Sequence, residues 1–518
     1  MGATLVFDDR EIGWPAFDDA AQRAASGFER LGVADGDVVC FMLRNEPAFL
    51  EVAFAARRLG AYPCPINWHY KGDEAGWILA DSGAKVLVVA ADLLAQIESA
   101  IPPGVAVIVA RPAAATVAAF GLADEHARGL PRSIPRSIPE WREWLASHPP
   151  YAGPARTPRA NMPYTSGTTG RAKGVRRVSP PPEDAPRIAA LTREVLRVGY
   201  GIEPGMRALV SAPLYHSAPN LYALQALLNE GRLVLEPRFD AERTLALIER
   251  HRLTHAYLVP TMYVRMLRLP DAAKRRYDLS SMRFVASTGS PCPPEVKRAM
   301  IDWWGPVFNE CYASSEAGLI TVISSPEALA RPGSAGRALG GGTLKILDEH
   351  GRELPPGEIG LIYARQPAYP DFTYNNNPEA RERLERDGLW TLGDMGYLDA
   401  EGYLYVCDRA SDMVISGGVN IYPAEIEACL LALEGVRDCA VFGIPDEEFG
   451  EALAAAVQPE PGAALDGDAI RAFLAPRIAG YKVPRTIELH AELPREESGK
   501  IFKRRLREPH WARAGRRI

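Results

Sequence analysis

The chain is 518 residues long and carries 65 acidic against 59 basic side chains, which gives a formal net charge of −6. Its content of 47% hydrophobic and 24% charged residues is that of ordinary globular proteins, so the chain is not predominantly disordered and is long enough for several domains. A charge balance so close to neutral argues against a general nucleic-acid-binding protein.

Strand-like and helix-like segments alternate through the middle of the chain. Before them, an Ala-, Pro- and Arg-rich stretch at 112–160 predicts a long loop. The apolar runs 232–236 and 256–260 predict strands, and the amphipathic stretch between them predicts a helix capped by Asp240. The same order of strand, helix and strand recurs over 283–312. This spacing indicates right-handed crossover units and therefore a parallel sheet.

The pattern changes after about residue 336. Alternating strands separated by Gly-containing turns predict hairpins at 343–365 and 397–409, and a smaller pattern of helix, two strands and helix follows them. We therefore predict an α/β fold. A large N-terminal domain, 1–407, is expected to combine parallel αβ sheets with a small β-barrel-like part, and a small α+β domain, 408–518, completes the chain.

Cysteine usage and hydropathy bear on the compartment. The seven cysteines are scattered and include no C-x-x-C pair. This spacing is typical of thiols in a reducing compartment rather than of a disulfide framework or a zinc site. The N-terminal residues lack the apolar core of a signal peptide, and no apolar run approaches the ~18 residues that span a bilayer. We therefore expect a cytoplasmic protein with no membrane span.

The most informative segment is 164–174, which reads YTSGTTGRAKG. Its glycines allow tight backbone turns that bring N–H groups close to an anion, and its hydroxyls and Lys173 add further donors. It is not a Walker A loop, because Lys173 stands between Ala172 and Gly174 rather than before Ser or Thr. Taken alone, the segment is compatible with phosphate binding and with an ordinary flexible surface loop.

This segment resembles the signature loop of the adenylate-forming (ANL) superfamily, which includes acyl-CoA synthetases, aryl-CoA ligases, peptide-synthetase adenylation domains and luciferases. Five further segments resemble the superfamily's other motifs in the same order: STGSPCPPEV (287–296), ECYASSE (310–316), LWTLGDMG (389–396), DRASDMVISGGVNIYPAEIE (408–427) and LPREESGKIFKRRLRE (493–508). The chain looks most like bacterial fatty-acyl and bile-acid-type CoA ligases. The resemblance implies that ATP activates a carboxylic acid as an acyl-adenylate, with release of pyrophosphate, before the thiol of CoA displaces AMP.

The resemblance also implies a nucleotide site assembled from several motifs. The expected ATP- and AMP-binding residues are Thr165, Ser166, Gly167, Thr168, Thr169, Gly170, Lys173, Gly289, Ser290, Pro291, Glu310, Cys311, Tyr312, Ser315, Asp394 and Arg409. Tyr312 is expected to stack on adenine, while Asp394 and Arg409 bind the ribose. Glu316 is expected to ligate Mg²⁺, for which a carboxylate oxygen is a suitable ligand. Without the motifs, Tyr312 would be interpreted as a core tyrosine and Glu316 with Ser315 as a buried capping pair. Asp394 would be a turn aspartate and Arg409 a partner in a surface ion pair.

Two residues are expected to act at the reacting groups. Lys500 resembles the superfamily's adenylation lysine, which bridges the carboxylate and the α-phosphate. It lies among many other basic residues of the C-terminal segment, and such a cluster is usually a solvated surface. His216 matches the superfamily's aromatic position near the acyl carboxylate and is expected to position or gate the acid; its alternative is a structural histidine. Tyr263 and Ala313 are expected to line the acyl site.

The second half-reaction depends on the C-terminal segment. Gly417 and Gly418 lack Cβ atoms, which suits a narrow passage for the pantetheine arm of CoA and also suits a simple turn. In the superfamily, the C-terminal domain swings between the two half-reactions about an Asp or Lys. Asp408 matches this hinge, so the resemblance implies that 408–518 is mobile.

Four residues depart from the superfamily's pattern. Ser411 stands where many relatives carry Lys, so any role of that Lys in thioester formation does not transfer to this chain. Cys311 and Ala313 replace glycines beside Tyr312, and their side chains would narrow the pocket. Ala172 replaces the usual Pro and is expected to be tolerated.

The acid itself is the least determined part of the prediction. Segments 214–221 and 257–263 offer no carboxylate to hold an α-amine, and their apolar and aromatic side chains favour a hydrophobic tail, since each buried methylene contributes about 0.8 kcal/mol. A fatty acid is the first choice, with aryl and sterol or bile-acid-type acids as alternatives. A carrier protein could replace CoA as the acceptor, and a non-catalytic acyl- or nucleotide-binding protein is the least favoured alternative. The oligomeric state is open, with a homodimer as one option.

Overall fold

The computed structural model describes residues 2–123, 137–165, 171–410, 412–416, 419–446, 449–495 and 501–513. Its strands, in chain order, are β1 (Thr4–Phe7), β2 (Arg10–Gly13), β3 (Val38–Met42), β4 (Tyr62–Pro65), β5 (Val86–Ala90), β6 (Ala106–Ala110), β7 (Tyr164–Thr165), β8 (Lys173–Arg177), β9 (Arg207–Val210), β10 (Arg232–Leu235), β11 (His255–Leu258), β12 (Phe284–Ser287), β13 (Phe308–Ser314), β14 (Gly318–Ser324), β15 (Arg337–Ala338), β16 (Thr343–Leu347), β17 (Gly360–Arg365), β18 (Phe372–Tyr374), β19 (Glu385–Arg386), β20 (Leu389–Leu398), β21 (Leu404–Arg409), β22 (Val414–Ser416), β23 (Val419–Ile421), β24 (Val436–Asp446), β25 (Gly450–Pro459) and β26 (Thr486–Leu489).

The α-helices, in chain order, are α1 (Trp14–Arg30), α2 (Pro47–Arg58), α3 (Gly72–Ser82), α4 (Ala114–Phe120), α5 (Trp141–Ala146), α6 (Ala185–Tyr200), α7 (Ser217–Leu228), α8 (Ala241–His251), α9 (Pro260–Leu267), α10 (Asp271–Lys274), α11 (Pro294–Trp304), α12 (Ser325–Ala330), α13 (Pro378–Glu382), α14 (Pro423–Leu431), α15 (Gly467–Leu474) and α16 (Lys503–Arg513). Short 3₁₀ helices lie at Leu94–Gln96, Glu98–Ala100 and Gly480–Lys482.

The chain forms two compact units. The first comprises Met1–Pro332, Gly336–Thr343 and Arg365–Gly388, and the second comprises Gly333–Ala335, Leu344–Ala364 and Leu389–Ile518. The second unit thus begins before the predicted domain boundary and includes most of the predicted hairpin region. The hinge expected at Asp408 lies within it and stays a prediction.

The main sheet of the first unit has the strand order β15-β14-β13-β12-β11-β9-β10-β1-β2. The strands from β13 to β1 run parallel to their neighbours, while β2, β14 and β15 pair antiparallel at the edges. The predicted units over 232–260 and 283–312 are confirmed, and β9 lies between the two strands of the first of them. Asp240 caps α8, accepting a hydrogen bond from the Arg243 backbone N–H (2.8 Å).

A second sheet of the first unit has the order β4-β3-β5-β6 and is parallel throughout. Its strands β3 (VVCFM) and β5 (VLVVA) are buried at every position. Such unbroken apolar runs are typical of strands that are covered on both faces, and the helices α2 and α3 connect successive strands of this sheet. The predicted α/β class is therefore confirmed.

The long loop predicted at 112–160 is wrong in part, because α4 and α5 form within it. The alanine-rich sequence of α4 is a good helix former, and the helix ends at Gly121, whose φ of +61° favours glycine. Glu140 caps α5, its carboxylate accepting hydrogen bonds from two backbone N–H groups of the first turn. Trp141 and Trp144 bury their rings, so packing adds to this short local signal.

The second unit contains a sheet of β16, β17, β20 and β21 and another with the order β23-β22-β25-β24, to which β26 adds beside β25. The hairpin predicted at 397–409 is confirmed by the antiparallel pairing of β20 with β21. The predicted order of helix, two strands and helix is confirmed by α14, β24, β25 and α15. Ile426 and Leu430 of α14 pack with Val441 of β24 in the core of this unit.

Two further features concern the predicted compartment. None of the helices in the described part of the chain is long and apolar enough to cross a membrane. All seven cysteines lie among the described residues and are free thiols. Burial raises the pKa of the Cys292 and Cys311 thiols, so both stay protonated near neutral pH.

Candidate functional site

A short hairpin carries the two ends of the glycine-rich segment. Strands β7 and β8 pair antiparallel, with Thr165 opposite Lys173. The Lys173 ammonium lies 5.2 Å from the centre of the Tyr374 ring, in cation–π geometry. A Cβ at Gly174 would lie 2.8 Å from the Tyr164 ring, so glycine is required where that ring crosses the hairpin. The hairpin thus presents a hydroxyl and an ammonium group side by side.

Glu316 lies in the turn between β13 and β14, where two hydroxyl groups converge on it. Its Oε1 accepts a hydrogen bond from the Tyr374 hydroxyl (3.0 Å) and another from the Thr165 hydroxyl (3.4 Å). Tyr374 reaches this point because β18 pairs with β8, with Tyr374 opposite Val175. Burial and the Glu316 carboxylate raise the pKa of Tyr374, which keeps its hydroxyl a donor. Carboxylate, hydroxyls and the Lys173 ammonium therefore form one cluster.

The adjacent Ser315 is held by side chains from two other elements. Its hydroxyl lies 2.8 Å from the hydroxyl of Ser217, the first residue of α7. Its carbonyl accepts a hydrogen bond from the Arg177 guanidinium (2.7 Å). Burial lowers the pKa of Arg177 to about 10, so the guanidinium remains charged near neutral pH. Arg177 therefore adds a fixed positive charge behind the turn that contains Glu316.

The segment between β12 and α11 contains the predicted adenine wall. Residues 289–291 are exposed, and Gly289 has a φ of +102° that favours glycine. Glu310 holds this segment from behind, since its carboxylate accepts a hydrogen bond from the Cys292 backbone N–H (3.3 Å) and pairs with the Lys297 ammonium. The structure thus gives Glu310 a supporting contact, and its direct binding of the nucleotide stays a prediction.

Tyr312 and its neighbours lie on β13, where the register with β14 shifts between Tyr312 and Ala313. Tyr312 is half-buried, whereas Cys311 is buried. Because successive side chains of a strand point to opposite faces, Tyr312 and Cys311 face different surroundings. A partly exposed ring is suited to stacking on a base, and this role of Tyr312 stays a prediction.

The residues predicted near the acid lie in two different settings. His216 is the N-cap residue of α7 and is half-buried, and the hydrogen bond between Ser217 and Ser315 ties this helix start to the Glu316 turn. Tyr263 lies in α9, fully buried, with its ring 5.4 Å from that of Phe308 in edge geometry. His216 is thus joined to the candidate site. Tyr263 packs in the core, and its predicted role at the acyl site stays a prediction.

Three buried tyrosines, Tyr200, Tyr222 and Tyr257, form what we call the tyrosine cluster. Their ring centres are 5.7 to 6.1 Å apart, although they belong to α6, α7 and β11. Burial raises the pKa of all three. Cys311 lies beside the cluster, with its Sγ 3.2 Å from the carbonyl oxygen of Gly199. If Cys311 narrows the pocket as predicted, it does so on the side of β13 that faces the tyrosine cluster.

In the second unit, the structure brings Asp394 and Arg409 together. They stand opposite each other in the β20–β21 register, with Arg409 Nε 3.3 Å from Asp394 Oδ1. The carboxylate of Asp408 accepts a hydrogen bond from the Ala424 backbone N–H (2.9 Å), at the start of α14. Asp394 and Arg409 therefore lie side by side, while their ribose contacts and the hinge remain predictions.

Several predicted site residues lie outside the described residues, namely Ser166, Gly167, Thr168, Thr169, Gly170, Ser411, Gly417, Gly418 and Lys500. Within the described ranges, no group of three His, Cys, Asp or Glu side chains is arranged around a metal position. Glu316 nevertheless fits Mg²⁺, because this ion is usually held by one or two carboxylates together with phosphate oxygens.

The sequence reasoning missed Tyr374 and Arg177. Tyr374 is 58 residues from its partner Glu316, and Arg177 is 138 residues from Ser315. No local pattern joins residues so far apart. The run of three asparagines and a proline after Tyr374 is the one nearby sequence signal, since it marks an ordered turn before α13.

Comparison with known proteins gives consistent matches over nearly the whole chain. Residues 2–369 match the family model of AMP-binding enzymes, and residues 425–500 match that of the AMP-binding enzyme C-terminal domain. A feruloyl-CoA synthase from Amycolatopsis sp is 35% identical, over 94% of this chain and 91% of the relative. The fatty acid–[acyl-carrier-protein] ligase ScoC from Streptomyces coeruleorubidus is 30% identical, over 99% and 94%. The crystal structure of ATP-bound MatB from Rhodopseudomonas palustris superposes with a TM-score of 0.80 at 28% identity, over 96% and 94%.

Proposed function

The chain belongs to the AMP-binding enzyme family, and we propose that it is an ATP-dependent acyl-CoA synthetase that activates a hydrophobic carboxylic acid. It is an acid–thiol ligase of the AMP-forming type. One observation carries the proposal furthest: Thr165, Lys173, Tyr374 and Ser315 converge on the turn that holds Glu316. Such a group of donors and one carboxylate suits a triphosphate whose α-phosphorus is under attack.

In the first half-reaction, a carboxylate oxygen of the acid attacks the α-phosphorus, and pyrophosphate leaves. Two anions must approach each other, so positive charge and hydrogen-bond donors at the phosphates lower the barrier. We assign this role to the Lys173 ammonium, the Thr165 and Ser315 hydroxyls and, from the superfamily resemblance, Lys500. Arg177 supports them indirectly, because it fixes the Ser315 carbonyl rather than facing the phosphates.

We assign the Mg²⁺ ligand to Glu316. Its Oε1 already collects two hydroxyl donors, which shows that the carboxylate is oriented by its surroundings and not free on the surface. Mg²⁺, when bound, would neutralise charge on the phosphate oxygens. Tyr374 acts on Glu316 itself, since its hydrogen bond fixes the direction of the carboxylate. Thr165 has a single O–H, so it would exchange Glu316 for a phosphate oxygen when ATP binds.

In the second half-reaction, the CoA thiolate attacks the acyl carbon of the adenylate, a thioester forms and AMP leaves. From the resemblance, we assign the passage for pantetheine to Gly417 and Gly418 and the hinge to Asp408. The hydrogen bond from the Ala424 N–H to Asp408 ties this residue to α14, so a rotation at 408 would have to break or carry this contact. A carrier protein in place of CoA is the second acceptor to test.

The tyrosine cluster favours an acid with an aromatic tail over the fatty acid that the sequence alone favoured. Rings stack in offset or edge geometry on other rings, and such pairs are worth about 0.5–1.5 kcal/mol beyond buried area. The hydroxyl of Tyr222 is buried and has no hydrogen-bond partner among the described residues, so an oxygen substituent on the acid would find a partner there. The feruloyl group named in one relative is an aromatic acyl group of this kind.

The function is tested by measuring pyrophosphate release from MgATP over a panel of acids, with and without CoA. The panel runs from short to long fatty acids and includes benzoate, cinnamate-type and sterol side-chain acids. Acid-dependent release that turns over only with CoA is the expected result. If release stalls at one equivalent with CoA but turns over with a phosphopantetheinylated carrier protein, the carrier protein and not CoA is the acceptor. No release with any acid would refute the proposal.

The aromatic preference is tested with Tyr222→Leu, which removes the ring and its hydroxyl from the cluster. The ratio of kcat/KM for a cinnamate-type acid to that for a medium-chain fatty acid cancels any change in the folded fraction. We expect this ratio to fall about tenfold, which corresponds to the loss of one ring contact and one hydrogen bond. An unchanged ratio of kcat/KM values would mean that the acid does not bind against the tyrosine cluster, and a fatty acid would again be the favoured substrate.

A further inference from the structure

Helix α3 contacts both strands of the β7–β8 hairpin through two side chains, Trp77 and Asp81. They are four residues apart, which places them one above the other on the same face of the helix. Neither residue belongs to a motif that the sequence resemblance identified. Strand β7 contains only two residues, so its pairing with β8 supplies few hydrogen bonds. The position of the hairpin must therefore depend on contacts from outside it.

The first contact fixes β7. The Tyr164 hydroxyl donates a hydrogen bond to Asp81 Oδ2 at 2.6 Å. Burial raises the pKa of Tyr164, and so do the thiol of Cys64 and the Asp81 carboxylate, which keeps the hydroxyl a donor. The ring of Tyr164 also lies against Gly174 of the opposite strand. Asp81 therefore holds Tyr164, the residue next to Thr165.

The second contact fixes the start of β8. The indole Nε1–H of Trp77 donates a hydrogen bond to the carbonyl oxygen of Ala172 at 2.9 Å. The guanidinium of Arg171 lies 4.6 Å from the centre of the same indole ring, in cation–π geometry. Trp77 thus holds the residues next to Lys173 by two different interactions.

Asp81 is itself anchored to the segment that follows Tyr374. The side-chain amides of Asn375 and Asn376 donate to the Asp81 carbonyl oxygen at 2.6 and 2.8 Å. The Asn375 backbone N–H donates in turn to the carbonyl oxygen of Gly174 (2.8 Å). The C-terminal end of α3, the hairpin and the end of β18 therefore form one hydrogen-bonded assembly.

We propose that Trp77 and Asp81 are positioning residues for ATP, which keep Thr165 and Lys173 beside Glu316. The inference rests on the proposed function, in which these groups bind the phosphates. Neither Trp77 nor Asp81 touches the substrate, and each acts through the backbone or side chain of a hairpin residue. Loss of either side chain should weaken the binding of ATP more than it weakens the binding of the acid or of CoA, or lowers overall stability.

The test uses Trp77→Phe, which keeps an aromatic ring for Arg171 but removes the N–H donor, and Tyr164→Phe, which removes the hydroxyl that binds Asp81. Trp141→Phe is the matched control, because the buried Trp141 donates a comparable hydrogen bond from Nε1 to Glu51 (2.8 Å) in α2. The first two variants should raise the KM for MgATP about three- to tenfold, the range expected for one lost hydrogen bond. The KM values for acid and CoA should stay unchanged, and Trp141→Phe should leave the KM for MgATP unchanged.

Hydrogen exchange of the amides in β7 and β8 provides a readout that does not require activity. The amides of both strands should exchange faster in Trp77→Phe and in Tyr164→Phe than in the wild type, whereas Trp141→Phe should leave their exchange unchanged. Unchanged exchange and an unchanged KM for MgATP would overturn the proposed positioning role, as would an equal rise in all three KM values. If the wild-type protein released no pyrophosphate with any acid, the proposed function would fail. The exchange experiment would then still decide whether Trp77 and Tyr164 hold the hairpin.

Discussion

Glu236, directly after β10, is expected to make the stability of the protein depend on pH. The residue is 1% exposed, and its Oε2 accepts hydrogen bonds from the hydroxyls of Ser211 (2.5 Å) and Thr244 (3.2 Å). Burial nevertheless raises its pKa from 4.5 to about 7. A carboxyl whose pKa is raised on folding favours the folded state in its protonated form. Its contribution is therefore complete below pH 4.5 and is lost as the pH rises through about 7.

The substitution Glu236→Gln imitates the protonated carboxyl, because the amide oxygen can accept the same two hydrogen bonds without carrying charge. A pKa rise from 4.5 to about 7 corresponds to a penalty of about 3 kcal/mol once the carboxyl is fully ionised, and of about 1 kcal/mol at pH 5.5. Relative to the variant, the wild-type protein should therefore lose about 2 kcal/mol between pH 5.5 and pH 8.5. Burial also raises the pKa of Glu46 to about 7, but both proteins share this residue, so its effect cancels in the difference.

Urea unfolding followed by tryptophan fluorescence measures this difference, since seven of the nine tryptophans lie in the first unit with Glu236. We expect the two proteins to converge at low pH and the variant to gain stability steadily towards pH 8.5. Glu29→Gln, an exposed change on α1, is the matched control and should follow the wild-type curve. Parallel pH curves for the wild type and Glu236→Gln would refute the reasoning, because they would mean that the carboxyl is ionised at no cost.

The remaining predictions concern catalysis. Glu316→Gln should slow pyrophosphate release about 100-fold or more, because it removes the charge that we propose binds Mg²⁺; wild-type rates at saturating MgATP would contradict that role. Asp394→Asn should raise the KM for ATP about tenfold by weakening the contact with Arg409, with the KM for the acid as the internal control. Lys500→Ala should suppress adenylation while leaving CoA transfer from a supplied acyl-adenylate, so equal losses in both assays would count against this assignment. Asp408→Pro fixes φ at the expected hinge and should impair one half-reaction far more than the other, whereas uniform loss would exclude a hinge there.

Much of the secondary structure was predictable because its signals are local. Apolar runs and amphipathic periods identified β10, α8 and β12, and Asp240, the predicted cap, accepts from a backbone N–H three residues away in α8. The pairing of Asp394 with Arg409 was only partly predictable, since the predicted hairpin 397–409 contains Arg409 but begins three residues after Asp394. The short helices α4 and α5 were missed because an Ala- and Pro-rich composition obscured signals only six or seven residues long.

The sequence by itself determined the class of fold, the family and the residues of the recognised motifs, because each of these depends on neighbours a few positions apart. The tertiary structure alone decided which of them meet. Tyr374 reaches Glu316 through the pairing of β18 with β8, and the tyrosine cluster joins residues of α6, α7 and β11. Helix α3 reaches the hairpin from about 90 residues away in the chain. The order of strands in a sheet is set by packing of the whole unit, and no local periodicity contains that information.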